Sequence, residues 1–157
     1  MGSDGFGDVS PRGDVPGFVF VYDDTTLLIP ARPGNNRTDT LGNLLDNAGI
    51  GLLFLVPGMD ETLRVNGVAR IIADQEILEI FPSHGKLPRS AILVDVKEAY
   101  LQCAKALVRS KLWGDEHRID RKSFPTLGQI LTDQMGKGGD PEQTERSIQD
   151  AIINKLY

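Results

Sequence analysis

Pro33-Gly-Asn-Asn-Arg-Thr-Asp-Thr-Leu-Gly-Asn-Leu-Leu-Asp-Asn47 lies between two apolar runs, Thr26-Leu-Leu-Ile-Pro30 and Ile50-Gly-Leu-Leu-Phe-Leu-Val56. The order predicts a strand that ends in a Gly/Asn turn, a short helix closing near Asn47, and a second strand. Such a turn delivers the carboxamides of Asn35 and Asn36, the guanidinium of Arg37 and the hydroxyl of Thr38 to a helix N-terminus. Free backbone N–H groups and the positive end of the helix dipole suit that place to a phosphate. An arginine adds a planar fork that holds two phosphate oxygens at once. The same residues also read as an ordinary connection, with asparagines capping the helix and Arg37 in solvent.

Outward from this stretch, the first half reads as strands. Residues 18–22 and 26–30 form a hairpin about Asp23-Asp24, and residues 50–56 and 61–72 flank a turn at Pro57-Gly58-Met59-Asp60. In the last of these, Leu63, Val65 and Gly67 alternate with Thr62, Arg64 and Asn66, which predicts one buried and one polar face. A short helix over 74–81, a loop at 84–88 and a buried strand over 91–95 follow. Residues 98–112 read as a helix with Ala99, Ala104, Leu107 and Val108 at helical spacing, loosened at Gln102-Cys103. Residues 126–135 predict another helix. After the Gly136-Lys-Gly-Gly139 break, Asp140-Pro141-Glu142 opens the last one, with Asp as N-cap and Pro at the first helical position. That helix carries an apolar stripe of Ile148, Ala151, Ile152 and Leu156, expected to be buried. Strands that meander with few helices between them predict a mainly β fold, an antiparallel barrel of about six strands with peripheral helices, not a doubly wound sheet. The expected organisation is a barrel over 1–136 and a C-terminal helix over 137–157, packed on the barrel or on a dimer partner.

Composition narrows the function. The chain has 157 residues, long enough for one sizeable core, and a formal charge of 17 − 22 = −5 with a pI near 5.0. No basic run or aromatic–basic interleaving speaks for nucleic acid. The longest apolar stretch, 50–56, is far shorter than the roughly 20 residues of a membrane span. No secretion signal opens the chain, and a cytoplasmic soluble protein is expected. The single Cys103 excludes an internal disulfide and a multi-cysteine zinc site. His84 and His117 have no metal-ligand spacing, so no metal is expected. No acid–base dyad or nucleophile triad is visible, and catalytic side chains are not assigned.

From Asn47 through Gly67 the spacing of Gly51-Leu-Leu-Phe54 and Arg64-Val-Asn-Gly67 resembles the FMN-binding split-barrel family that includes pyridoxamine 5′-phosphate oxidase. Glu98-Ala-Tyr-Leu-Gln-Cys-Ala-Lys-Ala-Leu-Val-Arg-Ser-Lys-Leu-Trp113 resembles a bacterial subgroup of flavin-dependent oxidoreductases within it. Ser10-Pro-Arg-Gly-Asp14 and Arg32-Pro-Gly-Asn35 do the same. The resemblance runs from about residue 3 to 136. Family members have a helix and a strand before the hairpin signal at Asp4-Gly5, and three residues hold neither, so the chain is expected to lack them.

The resemblance implies a homodimer with shared flavin sites and FMN as cofactor, the deazaflavin F420 being the alternative. The phosphate falls to Asn35, Asn36, Arg37 and Thr38, with Arg12 reaching it from a strand lining the flavin. Thr62 stands where the oxidase has a glutamine bonded to the flavin ring, and Trp113 in a segment that approaches the partner's flavin. Lys105, Arg109 and Ser110 are then substrate-binding candidates; Lys105 and Arg109, four apart, form either an anion patch or a solvated face. Arg64 reads equally as a ligand or a cross-strand charge. The implied activity is an FMN-dependent oxidoreductase acting on a small organic molecule. The alternatives are a flavin carrier without turnover and an F420-dependent reductase. The full pyridoxamine-phosphate grip of the oxidase is not present, and a haem role is disfavoured by the contexts of His84 and His117.

Overall fold

The computed structural model describes residues 7–32, 38–81, 86–136 and 138–155. The hairpin signal at Asp4-Gly5, Asn35, Asn36, Arg37 and His84 lie outside them. Contacts divide the chain into two compact units at Gly114.

The first unit is built on one antiparallel sheet. Its strands are β1 (Phe20–Asp23), β2 (Thr26–Pro30), β3 (Gly49–Phe54), β4 (Thr62–Ile72) and β5 (Ala91–Gln102), in the spatial order β1-β2-β5-β4-β3. Helices α1 (Asp39–Asp46), α2 (Gln75–Leu78) and α3 (Lys105–Ser110) lie between or after the strands. The fold is mainly β with peripheral helices, as the alternating runs predict, although five strands and not six are found among the described residues. The Asp23 carboxylate accepts the Thr25 N–H at 2.8 Å and so shapes the β1–β2 turn.

Alternation along β4 and β5 produces two apolar layers. Ile29, Leu44, Ala69, Ile92 and Val94 pack on one side, where α1 contributes Leu44 and half-buried Leu41. Leu28, Leu93 and Ala91 face the opposite way, against Leu78 and Phe81 at and beyond α2. Asp74 caps α2 by accepting the Glu76 and Ile77 N–H groups. The β4–β5 ladder slips by one residue: Asn66 pairs with Glu98 while Gly67 pairs with Val96, leaving Lys97 in a bulge. A Cβ on Gly67 would lie 2.5 Å from the Asp95 carbonyl oxygen, so glycine is what lets β5 close in there.

One expectation is corrected. Residues 98–102 do not begin a helix; they continue β5, pairing with β4 out to Thr62 opposite Gln102. Helix α3 is confined to Lys105–Ser110. Ladder bonds to an eleven-residue neighbour outweigh a weak local helical pattern, as tertiary pairing commonly does.

The second unit contains a 3₁₀ turn (Arg121–Ser123), α4 (Leu127–Met135) and α5 (Pro141–Asn154). Asp140 caps α5 and Pro141 opens it, as the sequence predicts. Helices α4 and α5 cross so closely that a Cβ on Gly128 would lie 2.5 Å from the Pro141 carbonyl and 2.7 Å from the Glu145 nitrogen. The Glu145 carboxylate accepts the Gly128 N–H at 2.8 Å, which satisfies a first-turn donor of α4. Of the α5 stripe expected to be buried, Ile148 is half-buried, Ala151 and Ile152 are exposed in the single chain, Ile152 at 54%, and Leu156 lies outside the described residues.

Candidate functional site

Leu27 to Pro30 are apolar because β2 is an interior strand, buried on both faces. Where β2 ends, the chain turns polar, and Arg32 meets a residue from the other side of the β1–β2 hairpin. Its Nε donates to Asp14 Oδ2 at 2.8 Å, with the two side chains 12% and 2% exposed. Its Nη1 donates to the Lys86 carbonyl at 3.1 Å. Upstream, the Asp8 carboxylate accepts the Thr40 hydroxyl in the first turn of α1. The segment that carries Arg12 is thus tied to both sides of the β2–α1 connection, at Arg32 and at Thr40. Arg12 itself is exposed.

Thr38 stands at the N-cap of α1, and its side chain makes no capping bond. The first backbone N–H groups of α1 are thus not closed by the side chain of the cap residue. An open depression of about 530 Å³ runs along the same helix, lined by Asp8, Thr38, Asp39, Asn43 and Asp46 among others. Three carboxylates there would repel an anion.

The remaining candidates gather at the far end of the sheet. Thr62 opens β4, is 5% exposed, and lies opposite Gln102. Beyond Gln102 the chain passes Cys103 into α3, where Lys105, Arg109 and Ser110 are exposed. The Ser110 hydroxyl donates to the Leu107 carbonyl at 3.1 Å. Trp113 folds back on the β3–β4 turn, its indole N–H donating to the Met59 carbonyl at 2.7 Å. Arg64 resolves as a cross-strand residue: its guanidinium donates to the Tyr100 hydroxyl at 3.3 Å and sits 5.9 Å from the ring centre.

The structure therefore groups Thr62, α3 and Trp113 at one end of β4, and Arg12 and Arg32 beyond the other. Between Thr62 and Ile72 lie 72 − 62 = 10 residue steps, or roughly 33 Å of extended strand. Asp14, Arg32 and Tyr100 are the residues that sequence reasoning did not assign. Asp14 and Arg32 stood inside the motifs that carry the resemblance, but nothing in linear order marks them as partners.

A family model described as pyridoxamine 5′-phosphate oxidase matches residues 2–103. The chain belongs to this family. The match covers all five strands with α1 and α2, so the sheet, the segment that carries Arg12 and the N-terminus of α1 are the pyridoxamine 5′-phosphate oxidase part of the molecule. Helix α3, Trp113 and the second unit lie beyond it. No curated protein matches the sequence. Two crystal structures of HupZ from Group A Streptococcus are similar at 19% identity, one of them a histidine-to-alanine variant. They cover 54% of this chain and 73% and 68% of their own, with TM-scores of 0.45 and 0.44. A likeness that shallow carries no weight for ligand or activity. Among the described residues, no helix is long and apolar enough to cross a membrane, and no three His, Cys, Asp or Glu side chains group as metal ligands do.

Proposed function

We propose that the chain is an FMN-binding flavoprotein of the pyridoxamine 5′-phosphate oxidase family, active as a homodimer and oxidising or reducing a small organic substrate. The observation that carries the dimeric site is the separation along β4. Thr62 opens β4 opposite Gln102, whereas Arg32, which anchors the segment carrying Arg12, follows Pro30 at the other end of the ladder, where Pro30 and Ile72 both pair with Ala91. A second copy brings its Thr62 end to the first copy's Arg12 end, and each flavin is then shared. The exposed part of the α5 stripe adds surface that a dimer would cover.

In this reading Arg12, Asn35, Asn36, Arg37 and Thr38 bind the phosphate. Thr62 of the other subunit offers one hydroxyl, able to donate or accept, to the ring edge. Trp113 excludes water beside the ring. Lys105, Arg109 and Ser110 bind and orient a substrate that carries an anionic group. Bound FMN supplies hydride transfer, which is why the protein needs no acid–base dyad of its own.

The test is a titration of the purified protein with FMN followed by photoreduction and reoxidation against a panel of small substrates and acceptors. Saturable FMN binding, and a half-reaction faster than that of free FMN, are expected. Binding without any accelerated half-reaction makes the protein a flavin carrier. A protein that takes up F420 in preference to FMN reassigns the cofactor.

A further inference from the structure

Residues 7–13 are exposed throughout, so the segment that carries Arg12 has no apolar packing to hold it. Its position comes from polar anchors at its two ends. The stronger is Asp14, whose side chain is 2% exposed and whose two oxygens are both engaged: Oδ2 by Arg32 Nε and Oδ1 by the Val15 N–H, each at 2.8 Å. Arg32 is fixed in turn by the Lys86 carbonyl. A buried ion pair adds little net stability, because desolvation offsets the attraction, yet it tolerates little change in geometry. Five residues separate Asp8 from Asp14 in sequence, and Arg12 is the one cation among them.

We propose that Asp14 and Arg32 are positioning residues that act through Arg12, holding its guanidinium where a flavin phosphate is bound. This rests on the FMN reading above. Removing the pair frees the segment, so Arg12 must be ordered anew each time the ligand binds, and affinity falls although neither residue touches the ligand.

Two measurements on the full chain test this. The first needs no flavin. Trypsin cuts after Arg12, whereas the Arg32–Pro33 bond resists it, so cleavage at Arg12 reports how often the segment opens. Asp14→Asn should raise that cleavage rate roughly tenfold. Arg32→Lys, which keeps the charge and loses the fork, should raise it less and serves if Asp14→Asn does not fold. The second is a double-mutant cycle on FMN affinity. Asp14→Asn should weaken binding by about tenfold alone and by less than about twofold in an Arg12→Ala background, since its effect passes through Arg12. Unchanged cleavage, or losses that add in full, overturn the proposal while leaving the FMN reading intact. A wild-type protein that binds no FMN overturns that reading, and the ligand role of the pair with it.

Discussion

Arg12 and Trp113 show how differently two candidate side chains stand in the fold. Arg12 is exposed, so Arg12→Ala should leave the melting temperature nearly unchanged. It removes a charge-assisted bond worth on the order of 1.5–3 kcal/mol, and isothermal titration should show FMN affinity reduced about tenfold or more. Trp113 holds the β3–β4 turn through Met59, and its removal should cost stability as well as binding. Lys105→Ala and Arg109→Ala lie on the exposed face of α3. They should leave FMN occupancy unchanged and weaken competition by an anionic inhibitor; dissociation of the dimer instead would make them interface residues. At this scale the sequence displayed residue types but not partners. Arg64 has two equal readings until strand register sets Tyr100 opposite it, 36 positions away. Asp14 and Arg32 are likewise joined only by the fold, across 18 positions.

Elements with strong local signals were legible. Residues 26–30 read as a strand and are β2, and Asp140-Pro141 announced the start of α5 because capping is local chemistry. The second half of β5 was not legible. Lys97 to Leu101 are exposed on both faces, so the period-two signal of a half-buried strand is absent and a helical spacing emerges by default. Only the β4 ladder decides it. The close crossing of α4 and α5 was invisible for the same reason, since nothing local marks Gly128 as a contact. Gly128→Ala should push α5 away at a cost of about 1–3 kcal/mol, read as lost amide-exchange protection confined to these two helices. The Glu145 carboxyl is held below its ordinary range, first by the Gly128 N–H and next by Gln149. A depressed folded pKa contributes stability above the ordinary glutamate value and loses it as pH falls through the folded value. The Gly128 amide resonance should therefore titrate below the usual glutamate range, and Glu145→Gln should abolish that titration.

For the whole molecule, the family and the mainly β antiparallel architecture were legible because three motifs occur in order along the chain. The two-ended distribution of candidate residues was not, because distance along β4 depends on which strands pair. That distribution, set beside the family resemblance, is what motivates the proposal of a shared flavin site. The most direct test is complementation between two defective chains. Arg12→Ala removes the proposed phosphate cation and Thr62→Val removes the proposed ring hydroxyl at unchanged buried volume, so both homodimers should bind FMN weakly. Mixed and allowed to exchange subunits, the two chains form a heterodimer in which the intact phosphate end of one meets the intact ring end of the other. Tight FMN binding reappearing in the mixture, at one site per heterodimer, is the result this account predicts. A mixture that binds no better than its separate components would contradict it, since each flavin would then be held within a single chain.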